Sequence, residues 1–219
     1  MASLFLFSIP LLLVLLVPMI SADPDALQDY CVADTDSSAI FINGLPCLSP
    51  SQTSVKHFTT SALGKPANSS GNPLGFGVIS TTPQILPGIN TLGISITRGD
   101  IDVGGVVPPH THPRATEIIY IMHGKLVVGF VDSSNKLFSQ TVNTGDVFLF
   151  PKGTLHFLYN VGVSRASLIA AFNSQNGGVA VTPFVTFAAN PGIPPQVLSK
   201  AFQISLQEVN KIRKGLGGN

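Results

Sequence analysis

Between Leu74 and Phe187 the apolar residues come in short runs, each closed by glycine, proline or another turn former. That punctuation leaves no space for long helices and calls for many short strands. "TLGISITRGDIDV" alternates so that Ile94, Ile96, Ile101 and Val103 read as inward positions. "EIIYIMHGKLVVGFV" reads as two strands joined at His123-Gly124, a β-hairpin by its glycine and flanking β-formers. "DVFLFPKGTLHFLYNVG" reads as a strand, a Pro-Lys-Gly turn and a second strand. "SRASLIAAF" and "GVAVTPFVTF" complete the set. Such a series predicts an all-β fold, a sandwich or closed barrel. The 21 glycines and 17 prolines of the 219-residue chain agree with it.

The two ends read differently. The start, "MASLFLFSIPLLLVLLVPMISADPD", carries no charged side chain before Asp23 and ends in Ser21-Ala22. It reads as a secretory signal peptide cut near Ala22. The alternative is a membrane anchor, but the run is short for a span and Pro10 and Pro18 interrupt it. No other stretch is long and apolar enough to cross a bilayer, so the mature chain is expected to be soluble. In a secreted chain, the cysteine pair Cys31 and Cys47 most simply forms one disulfide. Closing a loop of about 15 residues is worth roughly 3 kcal/mol in the chain-entropy model. Asn68-Ser69-Ser70 is a sequon in the loop-like "GKPANSSGNP", a plausible glycosylation site on a secreted chain.

At the other end, Ser205 and Glu208 form a capping box ahead of Leu206, Val209 and Ile212 on one helical face. Gly215 suits the position just past that helix, and "PPQVLSKAF" before it reads as another short helix. Helices after a β-barrel cover either a neighbouring subunit or their own barrel. These readings divide the chain into a signal peptide (1–22), an N-terminal extension with the disulfide (23–73), a β-barrel (74–190) and C-terminal helices (191–219).

Charged residues make up only 11% of the chain, the net charge is +1, and no basic run occurs. That argues against nucleic-acid binding. Against so sparse a background, "PPHTHPRATEI" gathers His110, His112 and Glu117. Residues two apart on a strand share a face, so the two histidines point together, with prolines 108, 109 and 113 stiffening the backbone. A polar loop that happens to hold histidines is the plain reading; three ligands of one metal ion is the chemical one. A fourth ligand must then come from a strand distant in sequence, and His156 in "PKGTLHFLYN" is the natural candidate. Three neutral imidazoles and one carboxylate suit a divalent first-row metal with positions left open. The spacing itself leaves manganese, iron, nickel, copper and zinc open, and a structural role too.

"GGVVPPHTHPRATEIIYIMHG" matches the first cupin motif at Gly104, His110, His112, Glu117 and Gly124. "GDVFLFPKGTLHFLYN" matches the second at Gly145, Pro151, Gly153, His156 and Asn160. The finer text, with "FNSQN" and the amino-terminal "DPDALQDYCVAD", resembles the germins and germin-like proteins of plants across essentially the whole mature chain. The resemblance implies a secreted, glycosylated cupin jelly-roll barrel with one manganese ion per subunit. It implies a homohexamer, a trimer of dimers whose C-terminal helices clasp neighbours. Carried over, His110, His112, Glu117 and His156 are the manganese ligands and Cys31–Cys47 the disulfide. Two peroxide-producing activities go with that family, oxalate oxidation and superoxide dismutation.

The oxalate-oxidising germins carry two asparagines that are thought to hold the substrate; here those positions are Thr97 and Val107. A valine donates no hydrogen bond, and an unpaired buried anion costs several kcal/mol. Little or no oxalate oxidation is therefore expected. Gly177 stands where germins usually show proline, with a local effect on its loop. Superoxide asks less of the pocket: a small anion, an accessible metal that changes oxidation state, and protons. The expected function is a peroxide-generating, superoxide dismutase-like enzyme of the apoplast and cell wall, with a role in defence. The alternatives are a non-catalytic, metal-stabilised binding or receptor protein and a manganese oxidase of another small acid. Arg98-Gly99-Asp100 spells an adhesion tripeptide but reads as a turn or bulge between strands. His57 and His123 read as exposed or satisfied histidines, and Arg114 and Asp146 as structural partners near turns. For Asn160, bonding to backbone and catalysis are equally open.

Overall fold

The computed structural model describes residues 28–39 and 41–218, so the predicted signal peptide at 1–22 lies outside the described residues. Among the described residues ten strands are formed: β1 (Phe76–Ser80), β2 (Ser95–Ile101), β3 (Val106–Thr111), β4 (Glu117–His123), β5 (Lys125–Val131), β6 (Leu137–Asn143), β7 (Val147–Phe150), β8 (Leu155–Asn160), β9 (Ala166–Phe172) and β10 (Ala180–Val181). They build two antiparallel sheets, β1-β2-β9-β4-β7 and β10-β3-β8-β5-β6. Among the described residues no ladder joins the two sheets, so the jelly roll is a sandwich and not a hydrogen-bonded closed barrel.

Period-two patterning fills the space between them. In β4, Glu117, Ile119 and Ile121 are buried while Ile118 and Tyr120 face out. Ile119 and Ile121 join Ile101, Leu126, Val128, Phe150, Leu158 and Leu168 in one core. On the solvent side of the first sheet the register sets Ile96, Ala171, Ile118 and Leu149 in one cross-strand row. The inward positions of β2 are therefore Ser95, Thr97, Gly99 and Ile101. Of the four residues expected inward, only Ile101 is buried; Ile94, Ile96 and Val103 are 57%, 41% and 58% exposed. Their apolar character made both faces of the strand look like core.

The segment "EIIYIMHGKLVVGFV" does form two strands, but they are not a hairpin. β4 belongs to the first sheet and β5 to the second, so His123-Gly124 is a corner between sheets. Gly124 has φ +98°, and a Cβ there would lie 2.7 Å from the Ala166 Cβ. The Pro-Lys-Gly turn makes the same kind of crossing between β7 and β8. "GVAVTPFVTF" yields only two strand residues before a short helix, α1 (Thr182–Phe187). Pro183 lacks the N–H a ladder needs and suits a first helical turn.

Two further helices follow, α2 (Pro195–Phe202) and α3 (Leu206–Gly215). The Ser205 capping box forms in full, with Glu208 N–H donating to Ser205 Oγ at 3.2 Å and Ser205 N–H to Glu208 Oε2 at 2.7 Å. Val209 is completely buried, whereas Leu206 and Ile212 are 46% and 36% exposed. Gly215 is the last helical residue, and Gly217, at φ +76°, adopts the left-handed conformation beyond it.

The extension is held by its own devices. Cys31 and Cys47 are disulfide-bonded. Arg98 and Asp100, far from forming a turn, lie inside β2 on its outer face, paired through Nε–Oδ2 at 2.7 Å and Nη2–Oδ1 at 3.0 Å. Asp100 also accepts the Ala67 N–H at 2.8 Å, and Arg98 donates to the Leu63 carbonyl at 3.1 Å. The tripeptide thus clamps the extension to the sheet, and Asp100 is buried from any partner. Burial opposes the charge on Asp100, but the Arg98 guanidinium and the Ala67 N–H outweigh it and lower its pKa.

Candidate metal centre

The site forms where the two sheets face each other near one edge. β3 and β8 pair so that His110 stands directly opposite His156 in the second sheet. A register shift between Val107 and His110 bulges β3, which lets two residues three apart share the inner face. Val107 therefore stands opposite Leu158, one step along the interior from the histidine pair. His112 follows one residue past the end of β3, and Glu117 enters from the first sheet as the first residue of β4. One ligand atom from each of His110, His112, Glu117 and His156 lies within 4.8 Å of all the others. His110, Glu117 and His156 are buried, and the His112 side chain keeps 14% of its surface.

Every ring is oriented by a backbone carbonyl. His110 Nδ1 donates to Pro108 O at 2.8 Å, His156 Nδ1 to Thr154 O at 2.8 Å, and His112 Nδ1 to Gly178 O. A carbonyl only accepts, so Nδ1 carries the proton in all three rings. In the neutral ring Nε2 is then a bare lone pair. Yet Nε2 of His112 and of His156 each lie 3.1 Å from Glu117 Oε2, itself an acceptor. Lone pairs facing a carboxylate need positive charge between them, from added protons or from a cation. That fits a metal ion, which neutral imidazoles and a carboxylate ligate.

The electrostatics agree. Burial and the neighbouring His156 push the His110 pKa down to about 4, which keeps its lone pair free. For Glu117 burial acts against ionisation, but the contacts with His112 and His156 prevail and hold its pKa at about 2. For His112 burial is again opposed, here by Glu117 and the Gly178 carbonyl, and the balance raises its pKa. Aromatic rings flank the cluster, Phe150 stacked on His156 with centroids 4.5 Å apart and Phe172 edge-on to His112 at 4.9 Å.

A cleft leads to this cluster, and His110, His112, Glu117, Arg114, Thr97 and Val107 all line it. Thr97 spends its hydroxyl on Ser80 Oγ at 2.7 Å, and Val107 offers only methyls. Other singled-out residues lie elsewhere. Asn160 is buried and bonds the backbone of Ile101, Ser164 and Gly162. Arg114 binds Asn176, and Asp146 accepts the Asn143 N–H. His57 accepts the Ser54 N–H and His123 meets Ser164 Oγ at 3.3 Å. Asn68 is exposed, its side chain bound to Ser70. The carbonyls of Pro108, Thr154 and Gly178 left no trace in the sequence reading, because any residue can supply a carbonyl.

Fold and cluster together define the class, a cupin with its histidine–glutamate site between the sheets, and the cupin family model matches residues 61–210. Germin-like protein subfamily 1 member 1 of Arabidopsis thaliana is 44% identical over 216 residues, which is 97% of this chain and 100% of that protein. Oxalate oxidase 2 of Hordeum vulgare is 44% identical over 203 residues, 91% of this chain and 90% of that one. The solved structure of an oxalate oxidase in complex with the substrate analogue glycolate superposes with a TM-score of 0.85 at 42% identity, covering 90% of this chain and 100% of that one. The chain belongs to the germin-like branch of the cupins.

Proposed function

We propose that this protein is a secreted, manganese-dependent enzyme that dismutates superoxide to oxygen and hydrogen peroxide in the apoplast. Manganese is the metal that germins carry, and this donor set suits it. When bound, a manganese ion supplies the change of oxidation state that the reaction needs. His110, His112, His156 and Glu117 would hold it, with each imidazole fixed by its carbonyl. A divalent ion held by one carboxylate would keep net positive charge, and with Arg114 in the cleft wall that charge would favour entry of a small anion.

The observation that carries the choice of substrate is the wall beside the ligands. Thr97 is occupied by Ser80 and Val107 is apolar, so neither position offers an amide to a dicarboxylate. Oxalate oxidation, named for several relatives, is not expected here for that reason. Superoxide needs no such anchor. The exposed row Ile96, Ile118 and Leu149, with Leu206 of α3, supports assembly into a homohexamer. The exposed Asn68 supports glycosylation.

The test is elemental analysis of the secreted protein purified without added metal, followed by superoxide and oxalate assays. About one manganese per chain and dismutation that His156→Ala abolishes would support the proposal. Zinc, or dismutation no faster than the same amount of free manganese, would refute it in favour of a non-catalytic binding protein. Oxalate-dependent peroxide would refute the substrate assignment.

A further inference from the structure

Of the three histidines, His112 is the one whose orienting carbonyl comes from a segment distant in sequence. Pro108 and Thr154 precede their rings by two residues, but Gly178 is 66 residues from His112. The carbonyl that aims His112 therefore depends on how the 173–178 segment is held. Four contacts fix that segment to the sandwich: Asn173 Oδ1 accepts the Thr116 N–H at 2.8 Å, Ser95 Oγ donates to Ser174 O at 2.7 Å, Arg114 grips Asn176, and the Arg114 N–H donates to Gly177 O at 3.0 Å. A fifth set reaches the extension instead. Gln175, half-buried, accepts the Thr91 N–H through Oε1 and donates from Nε2 to Asn43 O at 3.3 Å.

Asn43 lies inside the disulfide loop, and that loop is itself tightly fixed. Asn90, fully buried, accepts the Leu45 N–H at 3.0 Å, donates to Leu45 O at 2.8 Å, and places its Nδ2 3.3 Å from Cys31 Sγ. Gly44 is wedged between the two amides. A Cβ there would lie 2.5 Å from Asn90 Oδ1 and 3.1 Å from Gln175 Nε2. A continuous path thus runs from the Cys31–Cys47 loop through Gly44 and Gln175 to Gly178 O and the His112 ring. Gly177 gives the segment no side chain to stiffen it, and a Cβ there would lie 3.0 Å from the Ala115 Cβ and 3.7 Å from His112 Nδ1.

We infer that Gln175 is a positioning residue for the metal centre, which uses the disulfide loop as its anchor to hold Gly178 and so to aim His112. The inference rests on the metal-binding reading above. Partners that orient a ligating histidine typically govern metal affinity by about 10–100-fold. Gln175 acts one step further out, so the low end of that range applies.

The experiment compares Mn(II) affinity of the full-length wild type, Gln175→Ala, Gln175→Asn and Gly44→Ala by chelator competition. The Mn(II) paramagnetic resonance spectrum of each loaded protein and the thermal midpoint of each metal-free protein complete it. Gln175→Ala should weaken Mn(II) binding about tenfold and broaden the spectrum, with a metal-free midpoint close to wild type. Gly44→Ala, which pushes both amides from the loop side, should reproduce the loss. Gln175→Asn, one methylene shorter, should not restore it. Affinity within twofold of wild type in both Gln175→Ala and Gly44→Ala overturns the inference while leaving the metal site standing. A wild type that binds no divalent ion overturns both.

Discussion

Replacing Glu117 with glutamine tests the lone-pair argument, because the expected effect changes sign with pH and again with metal. The substitution keeps shape and removes charge from a residue only 5% exposed. Consider the metal-free protein. Glu117 has a depressed pKa of about 2, so its contribution is present above the unfolded value and lost only as pH falls through about 2. His112 has a raised pKa, so its contribution is present below the ordinary value of 6.5 and lost as pH rises through the raised one. Near pH 5.5 the carboxylate thus faces protonated His112, and Glu117→Gln should destabilise the metal-free fold by about 1–3 kcal/mol. At alkaline pH, once the pH has risen through the raised His112 value, that partnership is gone. A buried carboxylate then faces lone pairs at 3.1 Å, and an amide that donates in its place should stabilise the fold by about 1–2 kcal/mol. With metal at about 100 times Kd, the wild type should gain about 2.7 kcal/mol, a rise of roughly 5–11 °C for a chain of this size. Losing the only anionic ligand should weaken binding at least about 100-fold and erase that rise. Calorimetry of both proteins at the two pH values, with and without Mn(II), reads all four numbers. Destabilisation by more than about 1 kcal/mol at both pH values, with an unchanged metal-induced rise, would show that Glu117 is a structural hydrogen-bond partner and refute the reasoning.

Two further outcomes follow from other groups. His110 stays neutral in the folded metal-free protein down to about pH 4, while the unfolded chain takes up its proton below 6.5. Stability from this group is therefore present above 6.5 and lost as pH falls toward 4, by up to about 3 kcal/mol at roughly 1.4 kcal/mol per unit. His112 pulls the other way, so urea titrations at pH 7 and 4.5 should show a smaller net loss in the wild type and a larger one in His112→Gln; no loss in His112→Gln would be inconsistent with a buried, neutral His110. Asp100→Asn should cost about 3 kcal/mol, the low end for breaking a buried pair, because the Arg98 side chain keeps 15% of its surface. Limited proteolysis should then cut between residues 61 and 75 first; a cost below about 1 kcal/mol would mean that the clamp is not what holds the extension.

Strand existence was legible because β-branched and aromatic runs between turn residues need no partner to be recognised. Strand pairing was not, and His123-Gly124 shows why. A glycine between two β-runs marks a reversal in a hairpin and a corner in a sandwich alike. Only the packing of Ala166 against that glycine separates the two, and Ala166 is more than forty residues away. "GVAVTPFVTF" failed for the opposite reason, since one proline outweighed a strand-like composition. The metal cluster was the most legible part, because three of its four ligands fall within eight residues, from 110 to 117.

Alternation failed in the first sheet for a reason that bears on function. The rule reads one face only when the other is wet. In β4 and β7 the outward residues Ile118, Tyr120, Val147 and Leu149 are as apolar as the inward ones, yet they stay 43–56% exposed in the single chain. The register aligns Ile96, Ala171, Ile118 and Leu149 across four strands, and beside them Arg98, Ile169, Tyr120 and Val147. Arg98 apart, the two rows are apolar, which suits a face that another surface covers. Among the described residues, the N-terminal extension is hydrogen-bonded to it at the Arg98–Asp100 end, where the clamp replaces apolar contact with paired charge. The remainder is the exposed apolar surface that the proposed hexamer would cover. Introducing a charge in the middle of the row, Ile118→Glu, should therefore split the assembly by sedimentation while leaving Mn(II) affinity intact, because Ile118 faces away from Glu117 on the same strand. An unchanged sedimentation coefficient would place the interface elsewhere, and a parallel loss of metal would mean that the assembly, and not the single chain, holds the two sheets at the ligating distance.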